Sequence, residues 1–443
     1  MRRQGVEFPR SGCALQGAVE AARAVGGFVP IIHSTAGCGL RDPESDANAP
    51  LPGRLCGAEV PSSNILHRHV IFGGGSRLRE QIKNAVRVMR GDLYLVIPGC
   101  ATEMIGDDIE YMVEEARTQQ YPVLQIHTTG FKGTAYSGYV QFVKDVWAQF
   151  APSGEAAAEH TPRLVNLLGD IPGSDPFWEG NLEELAAVLA AVDVRATRLF
   201  GYGSNLAEWK CAAGASLNLV FSGWGKAIAQ WAEETFGTPY LEFPSVPVGA
   251  EQTQGFLFSV ADRLGLDRKT VEAYAYERRQ QFLYRLGHAS ADYVRYGFQR
   301  DFSMVGESYI VLGLARFLRD TLGCTPKALV LTDGTPQSDP ELQKIAAELE
   351  AAVLVREDLD EIETFLRAHP SELLLGSALE KTFADKSGIP LLEISAPMED
   401  AVLLGSGCAG YDGALRLLES LFAVLRQEAK KRRRADHLSI HLA

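Results

Sequence analysis

The chain has 443 residues, 46% of them hydrophobic and 22% charged, with a formal net charge of −13. That length suits two to four domains with sizeable cores, and the acidic balance argues against a general nucleic-acid or anionic-membrane surface. No run of about 18 apolar residues spans a bilayer, and the first residues lack the charged, apolar, small-residue order of a secretory signal, so a cytoplasmic protein is expected.

A turn near residue 12 opens into an Ala/Val-rich helical pattern. Strand-like runs then follow at 28–33, 93–97 and 122–127, with helical patterns at 76–89 and 107–118. The Ala-, Glu- and Pro-rich stretch 151–162 reads as a linker. A second unit runs through a strand at 163–168, a helix at 181–192, strands at 198–202 and 217–221, and a helix at 226–236. The third opens with a strand at 301–305 and a glycine loop entering a helix. It continues through strands at 328–332, 352–356, 373–375 and 391–394, with a helix at 341–350. A helix at 413–430 ends in the basic run 430–434, read as a solvated tail. Strands alternating with helices predict βαβ units. The expected fold class is α/β, with three Rossmann-like doubly wound parallel-sheet domains. Their bounds are 1–160 (completed by the C-terminal helix and tail, 400–443), 161–268 and 269–399.

Seven cysteines is an odd count, and a large cytosolic protein seldom keeps structural disulfides, so each is a ligand or a buried thiol. Three of them, Cys13, Cys38 and Cys100, sit in glycine-rich loops, and two follow the strands at 28–33 and 93–97. The carboxyl ends of parallel strands are where ligands gather. Thiolates suit iron–sulfur chemistry, and glycine lets backbone approach a bulky group. The separations of 25 and 62 positions (13 to 38, 38 to 100) match no zinc ribbon. Three thiolates fall short of the four terminal ligands usual for a cluster. Either water or a non-Cys ligand completes the set, or a second chain shares the cluster.

The order GCALQGAV at 12–19, HSTAGCGL at 33–40, HVIFGGGSRLREQI at 69–82, CATEMIGDD at 100–108 and HTTGFKGTAYSGY at 127–139 resembles the nitrogenase component 1 superfamily. The stretches 243–265 and 410–421 resemble its β-type more than its α-type subunit. The resemblance implies that Cys13, Cys38 and Cys100 are the β-side ligands of an 8Fe-7S P-cluster shared with an α-type partner in an α2β2 heterotetramer. It implies an ATP-dependent homodimeric iron protein as electron donor, and a catalytic iron–sulfur cofactor in the partner. Ser222 stands where an α-type chain has its cofactor cysteine, and 405–413 holds no histidine, so this chain is expected to carry no catalytic residue. Gly130 replaces a serine that can ligate the cluster in molybdenum-type β chains, whose long N-terminal extension is also missing. These departures favour a non-nitrogen-fixing branch, with methylthio-alkane reductase the first choice. The alternatives are a true nitrogenase β chain, a tetrapyrrole reductase, a cofactor-assembly scaffold, and a plain α/β protein without iron.

Other residues carry plainer readings. Cys56 lies between the ligand positions, Cys408 is near a glycine loop, and Cys211 and Cys324 read as core or near-surface thiols. His33 ends a strand, where packing and a hydrogen bond to backbone or sulfur are equally open. His67 and His69 read as solvent-facing or interface residues, and Glu103, Asp107 and Asp108 as carboxylates favoured at a helix start. The glycine loops at 72–76 and 304–308 lack the P-loop pattern and read as tight turns, which places any ATP hydrolysis on another protein.

Overall fold

The computed structural model describes residues 10, 12–39, 60–151, 160–296, 299–334 and 339–441. They form two compact units: Met1–Pro176 with Arg195–Val220 and Trp224–Glu242, and Phe177–Val194 with Phe221–Gly223 and Phe243–Ala443. The strand pairings are parallel throughout, as the alternation of strand and helix predicts.

The first unit opens with helices α1 (Ala14–Arg23), α2 (His67–Phe72), α3 (Gly75–Val88), α4 (Cys100–Ile105), α5 (Ile109–Thr118) and α6 (Ala135–Ala148). Between them run β1 (Phe28–His33), β2 (Leu93–Pro98) and β3 (Val123–Gln125), paired in that order with Phe28 opposite Leu93 and Tyr94 opposite Val123. β1 and β2 are buried along their whole length, which is why they read as unbroken apolar runs. Side chains alternate across the sheet. Val29, Ile31, Tyr94 and Val96 pack with Leu78, Ile82, Ile109 and Val113 of α3 and α5. α1 packs on β1 and β2, and Phe28 meets Phe142 of α6 and Trp209. The helix expected at 107–118 is α5, Ile109–Thr118, and the short α4 precedes it. Gly106 ends α4 at φ 72°, and the Asp108 carboxylate accepts the Tyr111 N–H to start α5.

α1 and α6 cross with their backbones in contact. A Cβ on Gly17 would lie 1.9 Å from the Ala135 carbonyl oxygen, and one on Gly138 would lie 1.9 Å from that of Ala14. Only glycine fits at either place.

The second sheet of this unit has the order β5 (Arg195–Ala196), β4 (Thr161–Leu168), β6 (Ala215–Val220), β7 (Tyr240–Glu242). The strand expected at 198–202 is instead the two-residue β5. Leu199 and Phe200 are buried beside Trp209, whose ring N–H donates to the Leu199 carbonyl at 2.7 Å. Gly201 and Gly203, at φ 81° and 86°, then turn the chain. Residues 152–159 of the expected linker lie outside the described residues, and Thr161 and Pro162 already belong to β4.

The second unit holds β8 (Asp301–Gly306), β9 (Thr325–Leu331), β10 (Ala352–Val355), β11 (Leu373–Gly376) and β12 (Leu391–Glu393) in the doubly wound order β10-β9-β8-β11-β12. The C-terminal helix runs Gly410–His441, longer than the expected 413–430, and packs on helices Trp178–Ala190, Gly249–Leu264 and Arg268–Gly287 of the same unit. Among the described residues, no helix is long and apolar enough to cross a membrane.

Replacing Gly17 or Gly138 with alanine should destabilise the chain by about 1–3 kcal/mol through overpacking. Denaturant unfolding checks this, with Gly255→Ala, where a Cβ meets nothing within 4 Å, as the control.

Candidate functional site

The loops carrying the three cysteines meet at the carboxyl edge of the first sheet. Cys13 is the residue before α1 and pairs across an antiparallel bridge with Thr134, just before α6. The Ala14 N–H donates to the Gly133 carbonyl and the Ala135 N–H to the Gly12 carbonyl, each at 3.0 Å. The starts of the two crossing helices are thereby fastened together. The loop that precedes Gly133 carries Gly130.

Gly130 is the meeting point of two of the thiols. A Cβ there would lie 2.8 Å from Cys100 Sγ and 3.2 Å from Cys13 Sγ. The two sulfurs are therefore no more than about 6 Å apart, the sum of those distances. Cys100 opens α4 directly after Gly99, whose N–H donates to the His33 carbonyl at 2.9 Å, so the ends of β1 and β2 are tied. A Cβ on Gly99 would collide with Ser34 Oγ at 2.1 Å.

Cys38 sits in the short 3-10 turn Ala36–Gly39, held by its N–H to the Thr35 carbonyl at 3.2 Å. Ser34 Oγ donates to Cys38 Sγ at 3.2 Å. The same buried hydroxyl that packs on Gly99, next to Cys100, thus reaches the Cys38 sulfur. All three thiols are half-buried and form no disulfide.

Among the described residues, no three His, Cys, Asp or Glu side chains are grouped to hold a metal ion. The donor set nevertheless fits a wider iron–sulfur group: soft sulfur donors on separate loops, with glycine where any side chain would press on two of them. Cys56 lies outside the described residues. Cys408 and Cys324 are buried and Cys211 is exposed. Burial raises the Cys324 thiol pKa.

Several plainer expectations change. Asp107 does not serve α5: its carboxylate accepts the Gly74 N–H at 2.7 Å and pairs with His33 Nε2 at 3.0 Å. Glu103 pairs with Lys132 at 2.6 Å. His69 is buried, with Nδ1 accepting the Leu66 N–H at 3.0 Å, rather than facing solvent. Ser34 and Ser63 escaped notice, although Ser34 stands only four positions before Cys38.

The fold and these loops define a parallel-sheet α/β protein with thiols gathered at one sheet edge. Residues 13–426 match the family model of Nitrogenase component 1 type Oxidoreductase, and the chain belongs to that oxidoreductase family. It is similar to nitrogenase molybdenum-iron protein beta chains. With that of Sinorhizobium fredii it shares 25% identity, over 93% of this chain and 82% of the relative. With that of Methanococcus maripaludis it shares 22%, over 95% and 94%. The solved structure of nitrogenase Cp1 at pH 6.5 superposes with a TM-score of 0.78 at 20% identity, covering 97% of this chain and 96% of that one, a likeness of fold.

Gly130→Ala should leave the circular dichroism unchanged and reduce oxidative Cys13–Cys100 disulfide formation in the iron-free chain, because a Cβ there lies 2.8 Å from Cys100 Sγ and 3.2 Å from Cys13 Sγ. Peptide mass spectrometry after mild oxidation checks this.

Proposed function

We propose that this chain is the β-type subunit of a nitrogenase-like reductase. In this reading Cys13, Cys38 and Cys100 hold its half of an 8Fe-7S P-cluster, and an α-type partner supplies the other half. The observation that carries the reading is the approach of the Cys13 and Cys100 sulfurs at Gly130, with Cys38 joined to the same loops through Ser34. Three thiolates from one chain leave the cluster short of ligands, which supports a second polypeptide at its open side. The working particle is an α2β2 heterotetramer in the cytoplasm. An ATP-dependent homodimeric iron protein is the donor, and the catalytic iron–sulfur cofactor is in the α-type chain. The three sheets are read as three domains, 1–160 completed by 400–443, 161–268 and 269–399.

When bound, the cluster supplies a low-potential electron relay. The chain's own residues set its surroundings. The thiolates anchor iron on three separate loops, Gly130 keeps a side chain out of the gap between Cys13 and Cys100, and Gly99 admits Ser34 beside the Cys100 loop. The Ser34 hydroxyl donates to the Cys38 sulfur, and such a bond tunes the potential.

For substrate, the reading is reductive C–S cleavage of small organic sulfides, as in methylthio-alkane reductase. Two electrons and two protons convert R–S–CH3 to R–H and CH3SH. Gly130 supports this branch, because the resemblance places a serine oxygen there in molybdenum-type β chains. The names of the relatives favour a second reading, a β chain that reduces dinitrogen.

Anaerobic co-purification with the α-type partner, followed by iron analysis and EPR, tests the cluster. Cys38→Ala and Cys100→Ala should each strip it and reduce electron delivery to background. Turnover with an organic sulfide against dinitrogen separates the two substrates. Wild-type iron content in either variant contradicts the cluster assignment.

A further inference from the structure

His33 ends β1 with no exposed surface, and both of its ring nitrogens are engaged. Nε2 lies 3.0 Å from Asp107 Oδ2, and Nδ1 lies 2.8 Å from Ser63 Oγ. Asp107 Oδ1 accepts the Gly74 N–H, which leaves Oδ2 to accept the imidazole N–H. Nδ1 is then bare and accepts the Ser63 hydroxyl. Burial lowers the His33 pKa against the opposing pull of Asp107, with His69 lowering it further, so the ring is neutral. Ser63 has no exposed surface, so this Ser–His–Asp line is closed to any substrate and is not a nucleophilic triad.

What the line touches points to another task. The His33 carbonyl receives the Gly99 N–H at 2.9 Å and the Thr102 hydroxyl at 2.6 Å, one on each side of Cys100. The next residue, Ser34, donates to Cys38 Sγ, and its carbonyl receives the Ile65 N–H at 2.9 Å. Ser63 Oγ also lies 3.4 Å from the Ser34 carbonyl, and the Arg77 Nε–H donates to the Ser63 carbonyl at 3.3 Å. The His33–Ser34 pair is therefore pinned from three sides by segments 63–65, 74 and 99–107, while holding two cysteine loops.

We propose that Asp107, His33 and Ser63 are positioning residues that lock the Cys38 and Cys100 loops in ligand-ready spacing and keep the Ser34 hydroxyl aimed at the Cys38 sulfur. This rests on the cluster reading above. A hydroxyl donated to a thiolate sulfur stabilises the reduced, more negative cluster, so losing it lowers the potential.

The test uses the full chain carrying Asp107→Asn or Ser63→Ala, which nearly preserve volume, with His33→Phe as the harsher third variant. First, the iron-free chains are treated with a limiting maleimide, and Cys38 labelling is followed by peptide mass spectrometry. Labelling should run several-fold faster in the variants. Second, the iron-loaded complexes are titrated under EPR. The midpoint should move to lower potential, and iron retention should fall about tenfold or more. Variants that label at the wild-type rate and keep the wild-type midpoint overturn the proposal. If the wild-type complex itself holds no iron, the cluster reading fails, and the labelling rates in the iron-free chains alone support or overturn the positioning role. Circular dichroism identifies a variant that has unfolded, and the milder two then decide.

Discussion

The site depends on one close approach, the crossing of α1 and α6 at Gly17 and Gly138. Each glycine admits the other helix's backbone, where a single methyl would meet a carbonyl oxygen. Because the helices touch so near their starts, Cys13 is drawn against the Gly133–Ala135 segment, and Gly130 follows on the same loop. The Cys13 sulfur reaches Cys100 because of that geometry, and no direct bond between the two is needed. Helix packing, usually a matter of stability, here sets a distance between two reactive atoms.

Around the sulfurs the chain builds outward in layers of different chemistry. Nearest is Gly130, which yields room beside Cys13 and Cys100. Next come three hydroxyls: Ser34 donates to the Cys38 sulfur, Thr102 to the His33 carbonyl and Ser63 to the His33 ring. Behind them, His33 and Asp107 connect segments far apart in sequence. Buried polar groups cost free energy unless satisfied, and this set is satisfied on every side. The order of layers suits a site that must hold a bulky inorganic group without moving.

Much of this was legible in the amino acids. β1 and β2 showed as unbroken apolar runs because helices cover both of their faces. The cysteine loops stood out because glycine punctuates them directly after those runs. What stayed hidden depends on distance through space. Asp107 looks like a helix-start carboxylate until His33, 74 positions away, is seen beside it. Gly17 and Gly138 look like ordinary weak spots in helices, and nothing local marks them as a pair. The strand expected at 198–202 failed for a related reason. Its apolar residues, Leu199 and Phe200, serve an aromatic cluster around Trp209, while the edge pairing falls to Arg195 and Ala196, whose side chains carry no strand signal.

The central claim is that separate loops bring the thiols together before any metal binds. Treating the iron-free chain with a short bis-alkylating reagent that bridges two neighbouring thiols measures this directly, with the joined peptides read by mass spectrometry. The account predicts a Cys13–Cys100 bridge that disappears when iron and sulfide are added first. Single alkylation at each position, or a bridge unaffected by iron and sulfide, would contradict it.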